Sequence, residues 1–223
     1  MPRVGAMVEV GLIETMRVRE GRLPWLGRHL ARLRASVAAL GVADPPADVA
    51  DLARIAAGVG DRAVRLQLRD GHLEVTTRNV NAEQAVAVIV SDEAYRPYPH
   101  KTTRREQFGR ALANARRTGA HDALLVRADG YVAEGTSWNL FWWDNGTLYT
   151  PAEELGVLPG IGRSRVMELV GVQEARMPVS ALAGRSLFLV NAVRGIVEIA
   201  MLQGEAVPRD ARTAELSSSF WPD

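Results

Sequence analysis

The sequence predicts a two-lobed α+β protein, and three observations carry that reading. Strand-like runs and helical periods occur in both halves of the chain. The stretch 91–99 holds Pro97, Pro99, Tyr95, Tyr98 and two acids, lacks periodicity, and reads as a link. The chain has 223 residues, and a fold of that size buries roughly 70% of the surface its unfolded form exposes. The expected division is a small N-terminal lobe over 1–92, a linker over 93–98, and a larger lobe over 99–223 that carries Lys101.

The elements follow in order. Val8 to Val18 is rich in β-formers, and Glu20-Gly21 marks a turn. Leu30, Leu33, Val37 and Leu40 recur at three- and four-residue steps, so a helix starts near Leu26 and stops at Gly41. A second helix is expected over Asp48 to Ala57. Residues 64–68 and 73–77 alternate around Asp70-Gly71, a strong hairpin signal. Ala85 to Val90 is a continuous apolar strand. A helix is expected from Arg105 to Arg117, then strands at 123–126 and 131–133. Strands at 140–143 and 147–149 flank a hairpin turn at Asp144-Asn145-Gly146. A helix over Arg163 to Val170 and strands at 187–190 and 196–202 complete the pattern. The tail after Gly204 reads as irregular.

Composition removes several function classes. A net charge of +1 lacks the electrostatic footprint of a nucleic-acid binder. No apolar run approaches a membrane span, and Met1 to Gly5 opens no secretory signal, so the expectation is a cytoplasmic protein. With no cysteine, disulfides and thiolate chemistry are excluded. The four His residues lack ligand spacing, which speaks against a metal site. There is no G-x-G-x-x-G, Walker or H-E-x-x-H motif. The Trp142-Trp143 pair reads as core and interface.

The most informative count concerns amines. Of 27 basic residues, 26 are Arg and one is Lys101. Arg does not lose its proton in a protein, whereas Lys can act as nucleophile or base. Lys101 sits in His100-Lys101-Thr102-Thr103. An acid, Glu134, lies between two strands. Pro159-Gly160-Ile161-Gly162-Arg163 offers backbone N–H groups at a helix start, which holds phosphate well. Asn191-Ala192-Val193-Arg194-Gly195 is a second such turn. An amine, an acid and two phosphate turns match what pyridoxal 5′-phosphate requires. Taken singly, Arg32 as a solvated helix residue, Glu134 as a strand-end carboxylate and the glycines as plain turns remain open.

Seven segments appear in a recognisable order: G-L-I-E-T-M-R-V-R-E-G-R at 11–22, H-L-A-R-L at 29–33, H-K-T-T at 100–103, E-G-T-S-W-N-L-F at 134–141, L-Y-T-P at 148–151, L-P-G-I-G-R at 158–163 and N-A-V-R-G-I at 191–196. Together they make the sequence resemble the fold-type IV pyridoxal-phosphate enzymes, the class IV aminotransferase family, over nearly the whole chain. The family includes branched-chain and D-amino-acid aminotransferases and aminodeoxychorismate lyase. The resemblance implies that Lys101 links to the cofactor and shuttles the substrate Cα proton, and that Glu134 pairs with the pyridine nitrogen. It implies that Arg32 clamps the phosphate, with backbone N–H groups of Ile161, Gly162, Asn191 and Ala192. It also implies a homodimer.

Two departures stand out. The segment before Gly11 is short, so the small lobe reads as trimmed. Gly162 stands where the family often has Thr. The motifs look closer to the lyase, which gives 4-aminobenzoate and pyruvate in folate biosynthesis, than to transaminases of amino acid metabolism. Transamination and a non-catalytic binding role are the alternatives. Either reaction needs an Arg for a substrate carboxylate. Arg104 and Arg105 follow Lys101 but can turn to solvent, so Arg194, beside the second phosphate turn, is the candidate.

Overall fold

Alternation along Leu12–Val18 forms the first strand, β1, which pairs antiparallel with β2 (Arg62–Arg69). β2 turns at Asp70-Gly71 into β3 (His72–Asn79). Both turn residues hold positive φ, 51° and 75°, as a two-residue hairpin turn requires. Leu12, Met16 and Val18 of β1 and Val64, Leu66 and Leu68 of β2 form one apolar face. Two helices pack there: α1 (Leu26–Leu40), through Leu26, Leu30, Leu33 and Val37, and α2 (Val49–Ala57), through Val49, Ala53 and Ala57. α1 ends on Gly41 with φ 63°, the left-handed stop expected of that residue.

The protein is described here by a computed structural model covering residues 10–81 and 85–222, which form two units. One comprises 10–79 with 101–104; the other comprises 80–100 with 105–222. Val8 and Glu9, expected in the first strand, lie outside the described residues. No helix among the described residues is long and apolar enough to cross a membrane.

The first unit buries an ion pair in its apolar face. The two-residue period of β1 puts Glu14 on the same side as Leu12 and Met16, and Glu14 is 1% exposed. A carboxylate there is costly unless it is paired and hydrogen-bonded. His29 and Arg32, neighbours one turn apart on α1, supply the partners. Arg32 grips the carboxylate at both oxygens, Nε to Oε1 at 2.8 Å and Nη2 to Oε2 at 2.7 Å. His29 Nδ1 lies 2.6 Å from Oε2. Burial pushes the Glu14 pKa up, but Arg32 and His29 outweigh it and hold it at about 2. Ionised Glu14 can only accept, so His29 donates through Nδ1. Burial keeps His29 neutral against the pull of Glu14, and the charges of Arg32 and Lys101 lower its pKa further.

The second unit is built on a sheet that closes on itself. Its strands are β4 (Ala85–Ala94), β5 (Asp122–Val126), β6 (Val132–Gly135), β7 (Asn139–Asp144), β8 (Thr147–Pro151), β9 (Val172–Ala175), β10 (Ser186–Asn191), β11 (Gly195–Leu202) and the short β12 (Glu205–Ala206). The order β10-β11-β4-β5-β6-β7 returns through a β7–β10 pairing, which makes a closed ring. β8 and β9 continue from β7. β4 and β5 are parallel and are joined through helix α3 (Glu106–Arg117), as a parallel connection requires. Val86, Val88, Leu124, Leu140, Trp142, Leu189 and Val197 fill one face. Ala123, Leu125 and Ala133 meet α3 on the other, with Tyr95, Tyr98 and Phe108.

Several expectations are corrected. β4 runs to Ala94 and belongs with the second unit, because it hydrogen-bonds in parallel to β5 and β11. Lys101 belongs with the first unit, for the backbone reason given below. Tyr95 and Tyr98, placed in the link by the sequence, are buried at 5% and 6% exposure, and Trp138 at 4%. The tail is not irregular: Asp210 caps helix α5 (Ala211–Ser218) by accepting from Arg212 N, and Phe220 is fully buried after it.

The buried pair makes stability depend on acid. Glu14 ionises far more easily folded than unfolded, so its contribution is complete above its ordinary value of 4.5 and is lost as pH falls toward about 2. The 2.5-unit difference corresponds to about 3 kcal/mol. His29 acts in the same sense below its ordinary 6.5, where the unfolded ring takes a proton that the folded one refuses. Denaturant unfolding followed from pH 7 to 2 should show a steep acid limb that Glu14→Gln flattens between pH 4.5 and 2. An unchanged limb in that variant would remove Glu14 as its source.

Candidate active site

Lys101 is placed by backbone pairing to β1. Its carbonyl accepts from Ile13 N at 2.8 Å, and Thr103 N donates to Gly11 O at 2.8 Å. Gly11 N in turn donates to Thr103 Oγ1 at 3.1 Å. A side chain at Gly11 would place its Cβ 2.9 Å from Thr103 Cγ2 and 3.0 Å from the Leu68 carbonyl oxygen. The glycine that opens the G-L-I-E-T segment is therefore what lets the lysine segment approach. Lys101 and Arg32 belong to the same unit, and the Lys101 charge reaches His29 strongly enough to lower the ring's pKa.

Glu134 lies in β6 of the second unit and is 3% exposed. Its Oε2 accepts from Leu158 N at 3.3 Å, and its Oε1 lies 2.8 Å from Tyr95 Oη. That hydroxyl is also 2.7 Å from the Gly156 carbonyl oxygen. Burial, and then the Glu134 charge, push the Tyr95 pKa far above the ordinary tyrosine value, so Tyr95 stays a proton donor. Leu158 is fixed at its other end, since its carbonyl accepts from Asn139 Nδ2 at 2.9 Å.

The turn after Glu134 is held by a residue the sequence reading did not single out. Asp122 Oδ1 accepts from Thr136 N at 2.8 Å; Oδ2 accepts from Thr136 Oγ1 at 2.9 Å and from Trp138 Nε1 at 3.1 Å. Burial raises the Asp122 pKa, opposed by these donors and by its bond from Ala123 N. Arg105 Nη2 donates to Thr136 O at 2.5 Å while its guanidinium packs 4.8 Å from the Phe108 ring centroid. The 135–138 turn then meets the second expected phosphate turn, as Asn191 Nδ2 donates to Ser137 O at 3.2 Å. Asn191 Oδ1 accepts from Val193 N at 2.9 Å and Arg194 N at 2.8 Å, which rigidifies the β10–β11 connection. The Arg194 guanidinium lies 5.7 Å from the Trp138 ring centroid.

Helix α4 (Ile161–Leu169) starts two residues earlier than the sequence suggested, with Gly160 as its N-cap. Ile161 and Gly162 are thus its first two helical residues, whose N–H groups have no partner within the helix and favour an anion. A Cβ on Gly162 would sit 2.8 Å from the Asn191 carbonyl carbon and 3.0 Å from its Cα. The two expected phosphate turns are therefore in contact, and only glycine permits the approach. Glu134, Ile161, Gly162, Asn191, Ala192 and Arg194 share the second unit; Lys101 and Arg32 share the first. Besides Asp122, the sequence reading passed over Glu14 and His29. Glu14 had a legible signal, a carboxylate on the apolar face of a strand. Asp122 had none, because its donors come from a turn fourteen residues on.

Gly162→Ala should lower thermal stability by about 1–3 kcal/mol, the usual cost of overpacking against atoms that cannot move aside. Gly171→Ala, just past α4 with nothing within 4 Å of the added carbon, is the matched control and should leave the midpoint unchanged. Equal midpoints for the two variants would show that the turns tolerate a side chain.

Within the second unit, a buried carboxylate and an anion-seeking helix start with no room for a Cβ suit the ring nitrogen and the phosphate of a phosphorylated pyridine aldehyde. Comparison with known proteins agrees. The Escherichia coli (strain K12) branched-chain-amino-acid aminotransferase is 32% identical over 81 residues, 36% of this chain and 26% of that protein. The chain thus matches about a quarter of that relative's length. A structure from Legionella pneumophila, described as a candidate 4-amino-4-deoxychorismate lyase, superposes with TM-score 0.81 at 25% identity, covering 94% of this chain and 90% of that one. A hypothetical aminotransferase from Mycobacterium tuberculosis, in its PLP-bound form, gives TM-score 0.81 at 24% identity over 94% of this chain and 87% of that one. Residues 11–202 match the Amino-transferase class IV family, and the chain accordingly belongs to that family of pyridoxal-phosphate enzymes, with their type IV fold.

Proposed function

We propose that this chain is a lyase that converts aminodeoxychorismate to 4-aminobenzoate and pyruvate. The observation that carries this reading is the near whole-length correspondence with the Legionella protein, over 94% and 90% of the two chains. Transamination of branched-chain amino acids is the second reading, favoured by the sequence kinship with the Escherichia coli enzyme. Both start with loss of the proton on the amine-bearing carbon, and the same residues serve both.

When bound, pyridoxal phosphate supplies an aldehyde that captures the substrate amine and a ring that withdraws electrons from the neighbouring carbon. The protein's part is binding, orientation and proton handling. Lys101, the chain's one amine side chain, holds the cofactor covalently at rest and then takes the substrate proton at Nζ. Glu134, kept in place by Tyr95 and Leu158 N, holds a proton on the pyridine nitrogen. Arg32 and the N–H groups of Ile161, Gly162, Asn191 and Ala192 hold the phosphate. Arg194 takes a substrate carboxylate, with its backbone fixed by Asn191 and its guanidinium beside Trp138. In the lyase the bond to the enolpyruvyl oxygen breaks, and the lost proton is balanced by one gained on the departing enolpyruvate, so no water is consumed. The enzyme works as a cytoplasmic homodimer in this reading; a monomer by sedimentation at micromolar concentration would count against it.

Lys101→Arg keeps the charge in a chain that uses Arg at 26 other positions, yet a guanidinium neither condenses with an aldehyde nor accepts a proton. The variant should be folded and colourless, with turnover reduced by at least roughly 10²–10⁴-fold. A yellow, active Lys101→Arg enzyme would overturn the cofactor attachment. Glu134→Gln should keep the colour but lose turnover by orders of magnitude, and Arg194→Ala should raise KM with cofactor affinity intact. The reaction itself is decided by products. Release of 4-aminobenzoate and pyruvate from aminodeoxychorismate is expected. Keto-acid formation from a panel of D- and L-amino acids, without 4-aminobenzoate, would give the chain to the transaminases.

A further inference from the structure

The first unit holds a titratable cluster that the proposed mechanism leaves idle. Glu14 takes no part in the proposed proton transfers, yet it is 1% exposed and ionised, and two α1 side chains converge on it. A buried ion pair that served only packing would be replaceable, both partners together, by apolar residues at no cost or at a gain. The neighbours of Glu14 on the same face of β1, Leu12 and Met16, are such residues. What distinguishes position 14 is Arg32, engaged in a two-point contact that fixes both the place and the plane of the guanidinium.

We propose that Glu14 is a positioning residue for the phosphate clamp: its two-point grip orients Arg32 toward the cofactor phosphate, and His29, through Nδ1, holds the Glu14 carboxylate in turn. This rests on the reading of Arg32 as a phosphate ligand. Three contacts carry it, Arg32 Nε and Nη2 on the two carboxylate oxygens and His29 Nδ1 on Oε2. Glu14 engages Nε and Nη2 of the guanidinium and leaves its positive charge in place, so the grip sets the orientation of the fork. A free Arg side chain would have to be ordered when phosphate binds, and holding it beforehand removes that cost. His29 suits the supporting place because its neutral ring adds a donor without adding charge beside Arg32. The ring's Nε2 is buried with no hydrogen-bond partner among the described residues, so the Glu14 contact is what orients the imidazole.

The test compares two cofactor forms that differ only at the phosphate. Binding of pyridoxal 5′-phosphate and of pyridoxal to the apo-enzyme is titrated by absorbance, with thermal midpoints recorded for each variant. Glu14→Gln should weaken pyridoxal 5′-phosphate by roughly 10- to 100-fold, the loss typical when an outer partner of a ligand residue is removed. Its affinity for pyridoxal should stay within about 2-fold, because only the phosphate contact is disturbed. Equal weakening of both forms, or weakening of neither, overturns the proposal.

His29 supplies a second route should Glu14→Gln fail to fold. His29→Leu should weaken the phosphorylated form selectively, and His29→Asn, whose amide can restore the donor, should recover it. Identical affinities across wild type, His29→Leu and His29→Asn overturn the supporting role. Arg32→Met separates the layers of argument. If it leaves the preference for the phosphorylated form untouched, Arg32 is no phosphate ligand and the underlying reading falls. If it abolishes the preference while Glu14→Gln does not, the positioning role alone falls.

Discussion

The return of residues 101–104 to the edge of β1 is the constraint on which the placement of the amine depends. Three hydrogen bonds between this segment and residues 11–13 fix the backbone on either side of the one lysine. They need a glycine at position 11, since any Cβ there meets Thr103 and the Leu68 carbonyl. The chain leaves the first unit after β3, builds β4 into another sheet, and comes back for four residues before leaving again. Such a brief return survives because main-chain bonds, unlike side-chain contacts, need no particular sequence beyond room to approach. The lysine is thereby anchored to the element that also carries Glu14.

The second unit uses polar groups where hydrophobic packing could not specify position. Asp122 gathers three donors from the 135–138 turn, Asn139 fixes Leu158, and Asn191 closes its own turn while reaching Ser137. Each of these residues is a short side chain at a strand end or in a turn, where main-chain groups have no ladder partner. Satisfying those groups converts loops into rigid supports, so the carboxylate of Glu134 and the start of α4 are held by the fold itself. Preorganisation of this kind lets charged groups act in a site without being reordered at each turnover.

The charge economy of the chain sharpens the chemical reading. Arg occupies nearly every basic position, including ion pairs at Asp61, Glu93, Glu174 and Asp144. None of these can exchange a proton at neutral pH. Proton transfer by a basic side chain is thus confined to Lys101 and the few histidines, and His29 is committed through Nδ1 to Glu14.

Local sequence determined a good deal by itself. Asp70-Gly71 and Asn145-Gly146 specified their hairpins because paired positive φ is cheap only for such residues. Period-3.6 leucines specified α1, and Gly41 its end. The lone lysine, the acid and the two glycine-bearing turns were legible as candidates because rare residue types at turns stand out against periodic elements. What the tertiary structure decided was pairing at long range. Burial of Tyr95, Tyr98 and Trp138 and the membership of β4 in the second unit depended on partners distant in sequence. The same holds for Asp122 with its turn and for Glu14 with Arg32, eighteen residues apart. A local pattern encodes which face of an element is apolar. It does not encode which other element will cover that face, and a buried charge acquires its role only from what covers it.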